Sequence, residues 1–61
     1  MNKTGNGDVT VVIPTLNEEK SIAGVIRELS HLGYCNILIA DGNSQDRTVE
    51  IAKELGANIM V

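Results

Sequence analysis

Three short apolar runs, separated by two segments of helical period, constrain this chain more than any other feature. "VTVVIP" (residues 9–14) is short, β-branched and apolar at alternating positions on both sides, with Val9, Val11 and Ile13 on one and Val12 on the other. That is how a buried parallel strand reads. "NILIA" (36–40) reads the same way, and "ANIMV" (57–61) opens a third strand. Between the first two, Ile22, Val25, Ile26 and Leu29 fall at i, i+3, i+4, i+7, the stripe of an amphipathic helix. Asn17 is the expected N-cap of that helix, with Glu18 and Glu19 complementing its dipole. Arg27 and His31 lie toward its end, and Gly33 is the expected C′ residue. A second helix is expected to open with Asp46 as cap, to turn Thr48, Ile51, Ala52 and Leu55 inward, and to stop at Gly56. Pro14 cannot donate to a ladder and is expected to end the first strand.

The order is therefore βαβαβ, which predicts an α/β fold with a three-stranded parallel sheet, strand order 3-2-1. If both right-handed crossovers step the same way, both helices lie on one face. The other face, carrying Val12, Leu38 and Met60, is then bare, and parallel sheets are ordinarily covered on both faces. Either a larger domain covers it or the chain self-associates there or along the first strand.

Size sharpens the point. With 61 residues, a chain buries only about 60% of the surface its unfolded form exposes. The single cysteine, Cys35, offers no internal disulfide, is expected to be a small buried apolar group, and suits a reducing cytoplasm. Tyr34 is the one aromatic residue, so the core must be aliphatic. Eight acidic against five basic residues give a net charge of −3, which argues against a nucleic-acid surface; stacking platforms for single strands are missing too. The polar start "MNKTGNGD" (expected flexible over 1–7) has no apolar core of a signal peptide. No apolar run approaches the roughly 20 residues of a membrane span.

In open α/β sheets ligands bind beyond the carboxyl ends of the strands. Here those ends carry Pro14, Thr15, Leu16, Asn17 and Glu18, and then Asp41, Gly42, Asn43 and Ser44. Asp41 and Glu18 can accept hydrogen bonds from ribose hydroxyls or a base N–H. Gly42 can let a ligand approach the backbone or adopt φ > 0. The two helix N-termini favour an anion such as phosphate. The dinucleotide fingerprint and the P-loop are both missing, and a receiver domain would want an acidic pair where Pro14 and Thr15 stand. Asp41-Gly42 also reads as a plain turn, Glu19 as a dipole residue, Arg47 as a solvated helix start and His31 as a helix C-terminal charge.

"VVIPTLNEEKSI", "IADGNSQDRT" and "IAKELGA", in that order, resemble the start of family 2 glycosyltransferases of the GT-A type, in particular the dolichyl-phosphate mannose or glucose synthase branch. The resemblance covers residues 8–61. It implies the Rossmann-like front part of a GT-A nucleotide-diphospho-sugar transferase fold, cytoplasmic, binding a GDP- or UDP-sugar for hexose transfer to a lipid phosphate or another acceptor. It implies a nucleotide site of Pro14, Thr15, Leu16, Glu18, Asp41 and Gly42, with Ser44, Asp46 and Thr48 shaping the loop and capping the second helix. Many members carry an aromatic residue at Leu16, an Asp at Gly42 and a Gly at Arg47. The DxD motif that holds Mg or Mn with the donor diphosphate, and the catalytic base, lie farther along in such enzymes. Asp41 and Asp46, five positions apart, are not that motif, so no metal or catalytic residue is expected here, nor turnover by this chain alone. The rival expectation is a non-catalytic homodimer built on the uncovered face or the first strand's edge.

Overall fold

A computed structural model describes residues 9–61. The expected flexible segment 1–7, and the domain boundary at residue 8, lie outside the described residues. The elements are β1 (Thr10–Thr15), α1 (Ile22–His31), β2 (Asn36–Asp41), α2 (Thr48–Glu54) and β3 (Asn58–Met60). All pairing is parallel, in the order β1-β2-β3 with β2 central, the expected topology. Val12 faces Leu38 and Ile13 faces Ile39, while Ile39 faces Ile59 on the other side.

Alternation along each strand sorts the residues into two faces. Ile37 and Ile39 of β2 are buried with Ile22 and Ile26 of α1 and Ala52 of α2, and Ile13, Leu29, Ile51, Leu55 and Ile59 pack around them. Both helices thus lie on one face, as their sequence stripes demanded. Met60 and Val12 on the opposite face are each 55% exposed, and Leu38 between them is half-buried. Among the described residues no element covers this face. Val9, grouped with the inward residues by alternation, lies before β1 and is exposed.

Both helices stop by the same device. Gly33 (φ 97°) and Gly56 (φ 90°) are left-handed. Gly33 N–H reaches the Ser30 carbonyl and Tyr34 N–H that of Leu29, and the pattern repeats from Gly56 to Lys53 and from Ala57 to Ala52. These are Schellman motifs, and glycine takes the positive φ without a Cβ penalty. His31 sits in the last turn of α1 as expected.

Several boundaries depart from expectation. Pro14 does not end β1: it pairs with Ala40, and the strand runs on to Thr15. The reason is orientation. Thr15 C=O accepts from Gly42 N–H at 2.9 Å, so Thr15 faces β2. Its neighbour Pro14 therefore turns its nitrogen to the open edge, where a missing N–H costs no ladder bond. Asn17 is not the cap of α1. The helix starts five residues later, at Ile22, after a turn in which Ser21 and Ile22 N–H both bond the Glu18 carbonyl. Glu18 and Glu19 accordingly precede α1 rather than occupy its first turn. Cys35 is exposed, not buried: it lies in the link after the Gly33 turn, outside every packed element.

Candidate functional site

The carboxyl ends of β1 and β2 lie side by side, Thr15 opposite Asp41. Alternation continues inward past the apolar core, so Thr15 and Asp41 fall on the helix-covered side and are buried. Their side chains meet: the Thr15 hydroxyl donates to Asp41 Oδ1 at 2.7 Å. Ser44 completes the cage, its hydroxyl donating to Oδ1 at 2.6 Å and its N–H to Oδ2 at 2.7 Å. These bonds, from the Ser44 hydroxyl first, then Thr15 and the Ser44 amide, hold the Asp41 carboxyl below its ordinary pKa. A buried carboxylate survives only when supplied with such donors.

The loops that follow, residues 16–21 and 42–47, exchange main-chain donors for side-chain acceptors. Asn17 N–H donates to Ser44 Oγ at 2.8 Å, and Gln45 N–H returns to Asn17 Oδ1 at 2.8 Å. Glu18 N–H donates to Thr48 Oγ1 at 2.8 Å. Glu19 N–H donates to Asp46 Oδ2 at 3.2 Å, and Arg47 N–H returns to Glu19 Oε1 at 2.9 Å. Asp46 Oδ1 in turn receives Thr48 N–H at 2.9 Å and the Thr48 hydroxyl. Partial burial works against the Asp46 carboxylate, but the Thr48 and Glu19 donors outweigh it and its pKa also falls. Asp46 does serve the start of α2, bonding Thr48 N–H from two positions before it, one before the N-cap Arg47.

Two expectations change in consequence. Glu19 serves a helix start, but that of α2, not its own. And Ser21, Ile22 and Thr48 N–H are engaged by the Glu18 carbonyl and the Asp46 carboxylate, so these helix-opening donors are not free for a ligand's anion. Arg47 pairs with Glu50 at 3.2 Å on an exposed surface, the solvated helix start expected of it.

Pro14, Thr15 and Glu18 line an open cleft of about 190 Å3 together with Ile13 and Ser21, between β1 and α1. Ser21 Oγ donates to Glu18 Oε1 at 3.3 Å at its lip. A second hollow of about 330 Å3, lined by Ile13, Val25, Glu28, Leu29 and Leu32, continues the furrow along β1. Leu16 is exposed beside Gly42: a Cβ built on Gly42 would lie 3.9 Å from Leu16 Cδ1 and 3.5 Å from Thr15 O. That is ordinary contact, and Gly42 is not among the residues with positive φ; Asn17 (54°) and Asn43 (70°) are. Gly42 is therefore not required by backbone conformation. Asp41 lies beneath the loops and is not part of the cleft wall. Among the described residues no group of three or more His, Cys, Asp or Glu is placed to hold a metal ion, and no helix is long and apolar enough to cross a membrane.

Sequence reasoning missed Asn17 and Glu19 as partners of the second loop. The available signal was the alternation Ser44, Asp46, Thr48 facing Asn17, Glu18, Glu19, all residues that bond backbone groups through short side chains or carboxylates.

Residues 10–60 match the profile described as glycosyl transferase family 2. Glycosyltransferase AglJ of Haloferax volcanii is 42% identical over 53 residues, which are 87% of this chain and 18% of that protein. A UDP-N-acetylglucosamine–dolichyl-phosphate N-acetylglucosaminyltransferase of Methanococcus voltae is 45% identical over 47 residues, 77% of this chain and 19% of that one. A dolichyl-phosphate hexose transferase of Haloferax volcanii is 38% identical over 55 residues, 87% of this chain and 24% of that one. The chain thus spans about a fifth of the length of these curated relatives. No solved structure gives a significant match. With its parallel βαβαβ order and its two loops joined at neighbouring strand ends, the chain belongs to glycosyl transferase family 2, of which it carries the Rossmann-like front segment.

Proposed function

We propose that Pro14, Thr15, Leu16, Glu18, Asp41 and Gly42 form the part of a glycosyltransferase that holds the nucleotide of a GDP- or UDP-sugar, for hexose transfer to a lipid phosphate or a related acceptor. The supporting observation is the cleft of about 190 Å3 beside two interlocked loops at adjacent strand ends, where open α/β sheets bind ligands. The relatives' names supply a UDP-sugar donor, a hexose and a dolichyl-phosphate acceptor.

In this reading the apolar floor of the cleft takes the base, and the Glu18 carboxylate accepts an N–H or hydroxyl from the nucleoside. Asp41, held by Thr15 and Ser44 beneath the loops, fixes the two strand ends against each other and contributes its negative charge under the site. Leu16 and Gly42 form the rim. A divalent ion, when bound in a complete enzyme, neutralises the leaving diphosphate. Among the described residues no group of three or more His, Cys, Asp or Glu is placed for such an ion, and the share proposed for this segment is binding and orientation.

The test is an NMR titration of the labelled chain with GDP and UDP, with and without Mg2+, following the amides of Leu16, Glu18, Asp41 and Gly42. Saturable shifts confined to these loops support the reading. A dispersed spectrum that neither nucleotide perturbs overturns it.

The bare sheet face and the open edge of β1 favour a second reading, a non-catalytic homodimer. Val12 and Met60 expose apolar surface on the one, and the alternate residues Thr10 and Val12 turn their backbone groups to the other. Light scattering decides: a particle of twice the 6.5 kDa chain mass supports the dimer, and a folded monomer at high concentration removes it.

A further inference from the structure

We infer that Glu19 is a positioning residue for the nucleotide cleft, distinct in role from its neighbour Glu18; the inference rests on the proposed nucleotide site. Glu18 presents its carboxylate at the lip of the cleft. Glu19 points the other way and binds the second loop. Its Oε1 takes Arg47 N–H at 2.9 Å, while its own N–H goes to Asp46 Oδ2 at 3.2 Å.

The path from Glu19 returns to Glu18. Asp46 Oδ1 is bonded by the Thr48 hydroxyl, and Thr48 Oγ1 receives Glu18 N–H at 2.8 Å. Thr48 is fully buried, so these main-chain bonds have a fixed anchor in the core, and the Glu19 side chain clamps the same segment through Arg47 N–H, between Asp46 and Thr48. Glu18 is held through its main chain, and the cleft keeps its shape before any ligand arrives. Such preorganisation lowers the ordering cost of binding. The essential property of the Glu19 side chain is reach with an acceptor oxygen at its end, not charge. Two adjacent glutamates therefore divide the work: one faces the ligand, the other fixes the first.

Three substitutions separate reach from charge. Glu19→Ala removes the acceptor. Glu19→Asp keeps the charge but is one carbon short. Glu19→Gln keeps reach and acceptor and loses the charge. GDP and UDP affinities and amide exchange at Glu18 and Arg47 are measured for each. Losing one such bond weakens nucleotide binding by about fivefold to tenfold in the Ala and Asp variants, and Gln restores the wild-type value. If Ala and Gln behave alike, charge rather than reach is at work and the inference falls. It also falls if Ala binds as well as the wild type. Should Ala fail to fold, Asp against Gln makes the same comparison. If the wild type binds neither nucleotide, the proposed site fails, and the clamp is judged by exchange alone. Protection of the Glu18 and Arg47 amides lost in Asp and kept in Gln upholds it; unchanged exchange in both overturns it.

Discussion

The two faces of the one small sheet are built from neighbouring residues of the same strands, yet they have opposite fates. Ile37 and Ile39 are buried under both helices, while Leu38 between them faces outward, where Val12 and Met60 are 55% exposed. The covered face does not end with the apolar core. Its alternation runs on to Thr15 and Asp41, also buried, so the side that holds the fold together is the side that organises the loops. The bare face ends in Pro14 and Ala40, which have no side-chain hydrogen-bonding group, although Pro14 also borders the cleft. Stability and the candidate site are thus concentrated on one side, and the other is an apolar surface awaiting cover.

The largest expected break in this contrast comes from Ile39→Ala. Ile39 is fully buried in the central strand, and removing it costs about 2–5 kcal/mol, enough to unfold a chain of this size; circular dichroism with urea titration reads it. Thr48→Val keeps the shape but deletes the hydroxyl that receives Glu18 N–H and serves Asp46. The cost is about 1–3 kcal/mol, with amide exchange rising at Glu18 and Glu19 first. A loss confined to global stability, with those amides unaffected, would break the link between covered face and loops.

Acid sharpens the same link. The Asp41 and Asp46 carboxyls have folded pKa values below the ordinary 3.8. Their contribution is fully present above that value and is lost as pH falls through the depressed folded values. Unfolding midpoints should be flat on this account from neutrality down to about pH 4 and drop below it. Asp41→Asn should flatten that acid drop. The smallest effect is expected at Val12→Thr on the bare face, within about 0.5 kcal/mol for an exposed site. A loss well above that would mean the face is covered in solution, and would favour the dimer.

Other features were legible because they are local. Gly33 and Gly56 marked the helix ends because a positive φ at that position selects glycine whatever lies around it. The apolar stripe of α1 named its buried side, since Ile22 and Ile26 are both in the core, although Val25 on the same stripe is 42% exposed beside the open furrow. The strand ends named from the sequence are adjacent in the fold, and their side chains divide between cleft and cage. Pro14, Thr15 and Glu18 do line a cleft. Asp41, singled out for the nucleotide site, is caged by Thr15 and Ser44. Gly42, singled out for backbone freedom, has room for a side chain.

The sequence by itself determined the element order, the parallel sheet, the helix stops and the existence of one uncovered face. Each follows from spacing between near neighbours or from the handedness of short crossovers, which operate within a few residues or one βαβ unit. Only the tertiary structure decided that Pro14 stays inside β1, that Asn17 and Glu19 clasp the second loop, and which of two adjacent glutamates faces the cleft. Those outcomes depend on hydrogen-bond partners 26 to 30 residues away. Polar loop residues can bond many alternative groups, so their local pattern is degenerate, and packing the two strand ends side by side is what selects among them.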